Sequence, residues 1–256
     1  MDLLDALILG IVQGITEFIP VSSSSHLRLA KWLLGIADGG HLLYFDLLCH
    51  LGTLFPLIFF LRKALFETLK DTRKIALFSL ALAPLVPAYF LLKPVRIALS
   101  DPRYLGFLLL GTAALLFFAS RVVKSKKAPH PKWTDVLCIG MTQAMALIGI
   151  SRSGSTISVA RMLGWEWVEA ARFSFLLGIP AILGGEILET IKLFKSGGLE
   201  TTLPMGVYAT GFCASLVVGA ISVRLVFAAY EKGIVRPFAW YCAAAGLFAL
   251  AALNLL

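Results

Sequence analysis

The sequence predicts an all-α integral membrane protein, with six transmembrane helices plus two re-entrant helical hairpins arranged as two inverted-topology repeats. Three observations carry that prediction. Apolar residues fill 59% of the 256 positions and charged residues only 15%, with mean hydropathy +0.86, whereas about a quarter of a soluble domain is charged. Six runs are long and apolar enough to cross a hydrocarbon core, which takes about 20 residues. Two further apolar segments end in serine-rich turns and resemble each other.

The six runs are Leu42–Leu61, Ile75–Leu92, Tyr104–Val123, Phe173–Phe194, Met205–Phe227 and Phe238–Leu256. Pro56, Pro84, Pro87 and Pro180 fall inside them, which lipid tolerates where neighbouring helices satisfy the freed backbone groups. The two other segments do not suit a lipid-facing span. Leu3–Val21 contains Gln13, Thr16 and Glu17 and runs through Pro20 into four serines. Val136–Ile150 contains Gln143 and runs into Ser-Arg-Ser-Gly-Ser-Thr. Interrupted backbone at membrane depth is allowed where protein encloses it, so both are expected to dip in and return to the same side.

Charge sets the orientation. The net charge of +8 gathers at the ends of apolar runs, which fits topology and anionic-lipid contact rather than nucleic-acid binding. Loops Arg62–Lys74 and Arg121–Lys132 hold five basic residues each, against three in Lys93–Arg103 and two in Lys192–Leu203. The richer loops are expected inside, which places Arg224–Arg236 inside and both termini outside. An acidic Met-Asp-Leu-Leu-Asp start predicts no cleavable signal. Trp133, Trp165 and Trp167 fit an interface belt, and Glu186 and Glu189 are expected at the interface as well. Cys49, Cys138, Cys213 and Cys242 stand singly and read as small buried hydrophobes.

The repeat is visible in the residues. Asp5, Leu7, Gly10 and Gln13 match Asp135, Leu137, Gly140 and Gln143 without a gap, and after one deletion Ser22-Ser23-Ser24 matches Ser151-Arg152-Ser153. Each half, about 1–127 and 128–256 of a single membrane domain, is then a polar hairpin followed by three spans. Three is odd, so the second copy enters from the opposite face, and such folds place their site between discontinuous helices near the midplane.

The chemistry-bearing residues lie at the two breaks. Gln13 and Glu17 share a helix face, Pro20 ends that helix, and His26 follows Ser23 by three residues. Hydroxyls and free amides at a helix start form an anion cradle, and Glu17 and His26 add two groups for acid–base work. The second break offers Ser151, Arg152, Ser153, Gly154, Ser155 and Thr156, with the guanidinium fork suited to phosphate oxygens. Gln13 and Gln143 are supporting residues. Asp46 and His50, four apart, either pair with each other or support the site.

At these breaks the sequence resembles the bacterial undecaprenyl-diphosphatase family, the bacitracin-resistance phosphatases. The family's (E/Q)xxxE, Pro-Val-Ser-Ser and histidine elements match Gln13, Glu17, Pro20-Val21-Ser22-Ser23 and His26. Its Pro-Gly-x-Ser-Arg-Ser-Gly element matches Gly149 to Gly154, and Phe173 to Pro180 resembles a further segment. Three positions depart: Gln13 replaces an acid, the proline before Gly149 is missing, and His50 stands where the family usually carries glutamine. The resemblance implies hydrolysis of undecaprenyl diphosphate to undecaprenyl phosphate and inorganic phosphate, which recycles the lipid carrier for peptidoglycan and confers bacitracin resistance. It implies the bacterial cytoplasmic (inner) membrane, a site open to the outer, periplasmic side, and a divalent cation, Mg²⁺ or Ca²⁺, with Glu17 as one ligand and no dedicated cage.

In that chemistry Ser23 would attack the terminal phosphorus, or His26 would activate a water. His26 and Glu17 would move protons, Arg152 would neutralise charge, and Ser22, Ser24, Ser151, Ser153, Gly154, Ser155 and Thr156 would bind phosphate. The expected partners are the polyisoprenoid diphosphate, membrane lipids and a second copy of the chain, with no nucleic acid. The competing class is an inverted-repeat transporter or flippase of a lipid phosphate or small anion.

Overall fold

The computed structural model describes residues 1–36, 40–122, 131–195 and 203–255. Every secondary-structure element among the described residues is a helix. The chain begins with α1 (Leu3–Thr16), α2 (Ser23–Leu33) and α3 (Gly40–Leu69). The helices α4 (Thr72–Leu82), α5 (Leu85–Leu91) and α6 (Lys93–Ala98) lead through a short 3₁₀ turn at Pro102–Tyr104 into α7 (Leu105–Ser120). The second half holds α8 (Trp133–Thr142), α9 (Ala144–Leu147), α10 (Arg152–Met162), α11 (Trp167–Lys195), α12 (Met205–Glu231) and α13 (Arg236–Leu255).

All six expected spans are present as helical segments long and apolar enough to cross a membrane: Leu42–Leu69, Thr72–Leu91, Pro102–Ser120, Trp167–Lys192, Met205–Glu231 and Arg236–Asn254. Pro56 and Pro180 sit inside unbroken helices, whereas Pro84 separates α4 from α5. Its ring lacks the N–H a continuous helix needs there. The outward faces are apolar, with Phe59, Phe90, Leu91 and Trp240 exposed, as a surface solvated by lipid tails requires. The loops Arg121–Lys132 and Lys192–Leu203 fall largely outside the described residues.

Local sequence explains the helix starts. Asp2 caps α1 reciprocally: its carboxylate accepts from the Asp5 amide at 2.9 Å and its own amide donates to the Asp5 carboxylate at 3.0 Å. Asp71 caps α4, accepting from the amides of Arg73 and Lys74.

Small residues let the helices approach closely. The helix α1 lies along α12 and α8 along α4. A Cβ on Gly10 would stand 2.6 Å from the Gly211 carbonyl, and one on Gly140 would run into the backbone of Ala81. Without a hydrophobic drive between helices in lipid, such contacts supply much of the packing. The core beside them is aromatic, with Phe18 edge-on to Phe175 at 6.0 Å and Phe175 against Phe227 at 5.5 Å.

Two sequence expectations need correction. Trp165 is buried (4% exposed), edge-on to Phe173, with its indole N–H donating to Asp135 at 3.3 Å, so it packs inside rather than in an interface belt. Cys49 and Cys242 are buried but Cys138 and Cys213 face outward, because in lipid an apolar residue is equally at home on either side.

Candidate active site

The break between α1 and α2 and the start of α10 meet in one place. Pro20 follows α1 through a turn, and Ser22 then takes a left-handed conformation (φ 72°, ψ 90°) as the cap of α2. A non-glycine residue holds that conformation only under compensating contacts. Here the Ser22 hydroxyl donates to the Gly149 carbonyl at 2.7 Å, and Ser25 Oγ reaches the same carbonyl at 3.1 Å. Gly149 has φ 98°, open to glycine, and a Cβ on it would crowd Leu108. Ser151 caps α10, its Oγ accepting from the Gly154 amide at 3.0 Å while its own amide donates to Thr112 at 3.2 Å.

These turns wall a cavity of about 230 Å³, lined among others by Glu17, Ser22, Ser23, Ser24, His50, Ser151, Arg152, Ser153 and Glu186. Glu17 is its hub. Oε2 accepts from Ser23 Oγ at 2.7 Å and from Gln13 Nε2 at 3.0 Å, and His50 Nε2 stands 3.8 Å away. Oε1 faces the Arg152 guanidinium at 3.4 Å. The carboxylate thus ties α1, the serine turn, α3 and α10 together. Gly178 on α11 leaves the room for Arg152: a Cβ there would overlap the guanidinium. Arg152 keeps one buried nitrogen, Nη1, without a hydrogen-bond partner. That nitrogen packs onto Gly178, and the cation as a whole, beside a ring of hydroxyls, is suited to an oxyanion.

The remaining expected residues fall differently. His26 is buried but does not line the cavity. Its Nδ1 is 2.8 Å from the Ser22 carbonyl and its ring stacks on Tyr241 at 5.5 Å. Gly154, Ser155 and Thr156 are also off the wall. The last two spend their hydroxyls on the carbonyls of Arg152 and Thr142 and on Ser174. Gly154 instead admits the Pro20 carbonyl, 3.1 Å from where a Cβ would be. Gln13 touches Glu17, while Gln143 donates to the Ala81 carbonyl at 3.0 Å, fastening α8 to α4.

His50 and Asp46 do not pair through their side chains. His50 Nδ1 lies 2.8 Å from the Asp46 backbone carbonyl, and the Asp46 carboxylate takes Lys31 at 2.6 Å. Glu186 is not interfacial. It turns inward onto the cavity, 4.0 Å from His50 Nδ1, because α11 runs past the serine turns before it reaches its polar end. Glu189, one turn on, pairs with Lys192 at 2.6 Å. Glu186 and Gly178 are the site residues that sequence reading missed, and neither sits in a polar run that could have flagged it.

A larger cavity of about 790 Å³ lies among α3, α4 and α11, lined by Glu67, Asp71, Arg73, Lys74, Glu169 and Arg172 around Trp165 and Phe173. With Glu166 its lining mixes four acids with three bases, and it has no serine turn.

The family model for bacitracin resistance protein BacA matches residues 6–248. A protein of Protochlamydia amoebophila named undecaprenyl-diphosphatase is 40% identical over 250 residues, covering 96% of this chain and 97% of its own. Proteins of the same name from Parabacteroides distasonis and Rubrobacter xylanophilus are 36% and 37% identical, each alignment covering at least 97% of both chains. On these comparisons this chain belongs to the bacitracin resistance protein BacA family.

Proposed function

We propose that the protein is an integral membrane phosphatase that hydrolyses undecaprenyl diphosphate to undecaprenyl phosphate and inorganic phosphate. The observation that carries this reading is the Ser23 hydroxyl held 2.7 Å from a Glu17 carboxylate whose other oxygen faces Arg152. A nucleophile, a proton acceptor and a phosphate-binding cation therefore share one small cavity.

In the mechanism we favour, Ser23 Oγ attacks the terminal phosphorus and passes its proton to Glu17. The bond from that phosphorus to the bridging oxygen breaks, and the lipid monophosphate leaves with the electron pair. Water then attacks the phosphoserine, Ser23 recovers a proton, and inorganic phosphate departs. Arg152 and the hydroxyls of Ser22, Ser24, Ser151 and Ser153 neutralise and orient the oxygens, and such positioning and charge stabilisation supply most of the catalysis in phosphoryl transfer. Glu17 thereby takes the proton from the nucleophile, and His26 shapes the serine turn from behind, through the Ser22 carbonyl.

Among the described residues no three His, Cys, Asp or Glu side chains form a metal cage. A Mg²⁺ or Ca²⁺ ion held by one carboxylate plus substrate oxygens still fits, because Glu17 Oε1 has only the 3.4 Å contact to Arg152. When bound, it would supply neutralisation of the diphosphate charge.

The same reading places the chain in the bacterial cytoplasmic membrane, with the cavity open outward and two re-entrant hairpins in inverted repeats. Matched positions support the repeat. Ser22 and Ser151 both cap a helix and accept from the amide three residues on, and Gly10 and Gly140 both seat their helix on a partner backbone. Phosphate release from a polyprenyl diphosphate by purified protein in detergent tests the activity. A protein that releases none, yet moves a lipid phosphate across liposomes, would be the transporter instead.

A further inference from the structure

Glu186 is the least expected group in the cavity. It lies within the span Trp167–Lys192, where a carboxylate is expensive to hold, and its Oε2 is buried without a hydrogen-bond partner. It also brings negative charge to a cavity that, on the phosphatase reading, admits a diphosphate. Its nearest partner is His50, at 4.0 Å from Nδ1. The Nδ1 atom is already engaged by the Asp46 carbonyl at 2.8 Å, which leaves the Glu186 contact to act by charge on the ring as a whole. That engagement also fixes the ring, so Nε2 points at Glu17 Oε2, the oxygen that receives the Ser23 hydrogen bond. Glu17, His50 and Glu186 form a line across the cavity from α1 through α3 to α11.

We propose that Glu186 is a positioning residue: it acts through His50 to hold the Glu17 carboxylate in register with Ser23. His50 and Glu186 are one unit, an imidazole and its counter-carboxylate, standing where the family usually has a neutral glutamine. The two belong together because either alone is a liability. Glu186 without His50 confronts the substrate with an uncompensated like charge, and His50 without Glu186 has nothing to balance its pull on Glu17. The proposal rests on the phosphatase reading above.

The test is a double-mutant cycle on farnesyl or undecaprenyl diphosphate in detergent, with kcat and KM measured for wild type, H50Q, E186Q and H50Q/E186Q. H50Q, which installs the family's residue, is expected to raise KM about tenfold, within the range of coupling between contacting residues. E186Q is expected to lower kcat several-fold with little change in KM. The double variant recovers most of the KM lost in H50Q, because the unbalanced carboxylate is gone. A double variant whose losses equal the product of the single losses, or an H50Q with wild-type KM, overturns the proposal. Thermal melting of the four proteins separates a kinetic effect from a merely structural tie: a uniform loss of melting temperature with unchanged KM values also overturns it. Phosphate release by the wild type, measured first, decides the phosphatase reading by itself, and S23A, run beside them, decides only the nucleophile. Wild-type turnover in S23A would sink the Ser23 mechanism, while the coupling in KM is still decided by its own four numbers.

Discussion

Ser23 donates its hydroxyl hydrogen to Glu17 across the break between α1 and α2, Oγ to Oε2 at 2.7 Å. A serine and a carboxylate six residues apart cannot meet on one helix. Pro20 and the left-handed Ser22 fold the chain back and bring them together. The strain at Ser22 and the contact between nucleophile and acceptor are therefore one feature.

Ser23→Ala and Glu17→Gln are each expected to cut phosphate release on the order of 10³-fold, and the two together by little more, since residues acting as a unit are non-additive. Rapid-quench trapping of a phosphorylated wild-type enzyme checks the covalent version. An S23A protein with near-normal turnover would leave only a water nucleophile.

Arg152 depends on a residue it never bonds. A Cβ on Gly178 would occupy the guanidinium's place, so Gly178→Ala should displace Arg152 and lower kcat/KM about tenfold to a hundredfold, as small misplacements at a reacting centre do. Arg152→Lys keeps the charge but loses the fork and should fall in the same range. The steric account fails if Gly178→Ala turns over normally while Arg152→Lys does not.

Much of this was legible in the sequence because lipid imposes a simple code. Six apolar runs had to be spans, and serines following Gln13, Glu17 and Pro20 could not face hydrocarbon. That logic finds Glu17, Ser23 and Arg152, whose polarity stands out against their neighbours. It misses Glu186, because an acid near the end of a span reads as interfacial unless one knows that α11 passes the serine turns. It misses Gly178 because a glycine in a membrane helix signals nothing by itself. It also selects His26, whose ring lies off the cavity, on the Ser22 carbonyl and against Tyr241. Ser155 and Thr156 lie off it too: a hydroxyl inside a helix can turn back to a carbonyl three or four residues earlier.

His26 should consequently behave unlike Ser23. His26→Gln keeps a side-chain hydrogen-bond donor for the Ser22 carbonyl and is expected to lose about tenfold in kcat, well short of the 10²–10⁴-fold that removing a proton-transfer group can cost. His26→Ala removes the imidazole contact, leaving that carbonyl only the backbone amide of residue 26 and the Tyr241 ring nothing to stack on, and should lose more, with a lower melting temperature. Side-by-side kinetics decide the matter. If His26→Gln is as dead as Ser23→Ala, the imidazole itself takes part in the chemistry and reaches the cavity by a motion not seen in this conformation.

The glycine contacts make a prediction about stability rather than chemistry. Gly10 and Gly140 occupy matched places, one against the Gly211 carbonyl and the other against the backbone of Ala81. In both cases the obstacle to a side chain is backbone, which cannot turn aside as a flexible side chain would. Gly10→Val and Gly140→Val should therefore each push two helices apart, at a cost of about 1–3 kcal/mol or more, visible as a lower melting temperature in detergent. Gly184, with nothing within 4 Å of its would-be Cβ, is the control: Gly184→Ala should melt with wild type. Equal tolerance at all three positions would mean that α1 and α8 are not seated on their partners by close backbone contact, and the packing argument for a duplicated half would go with it.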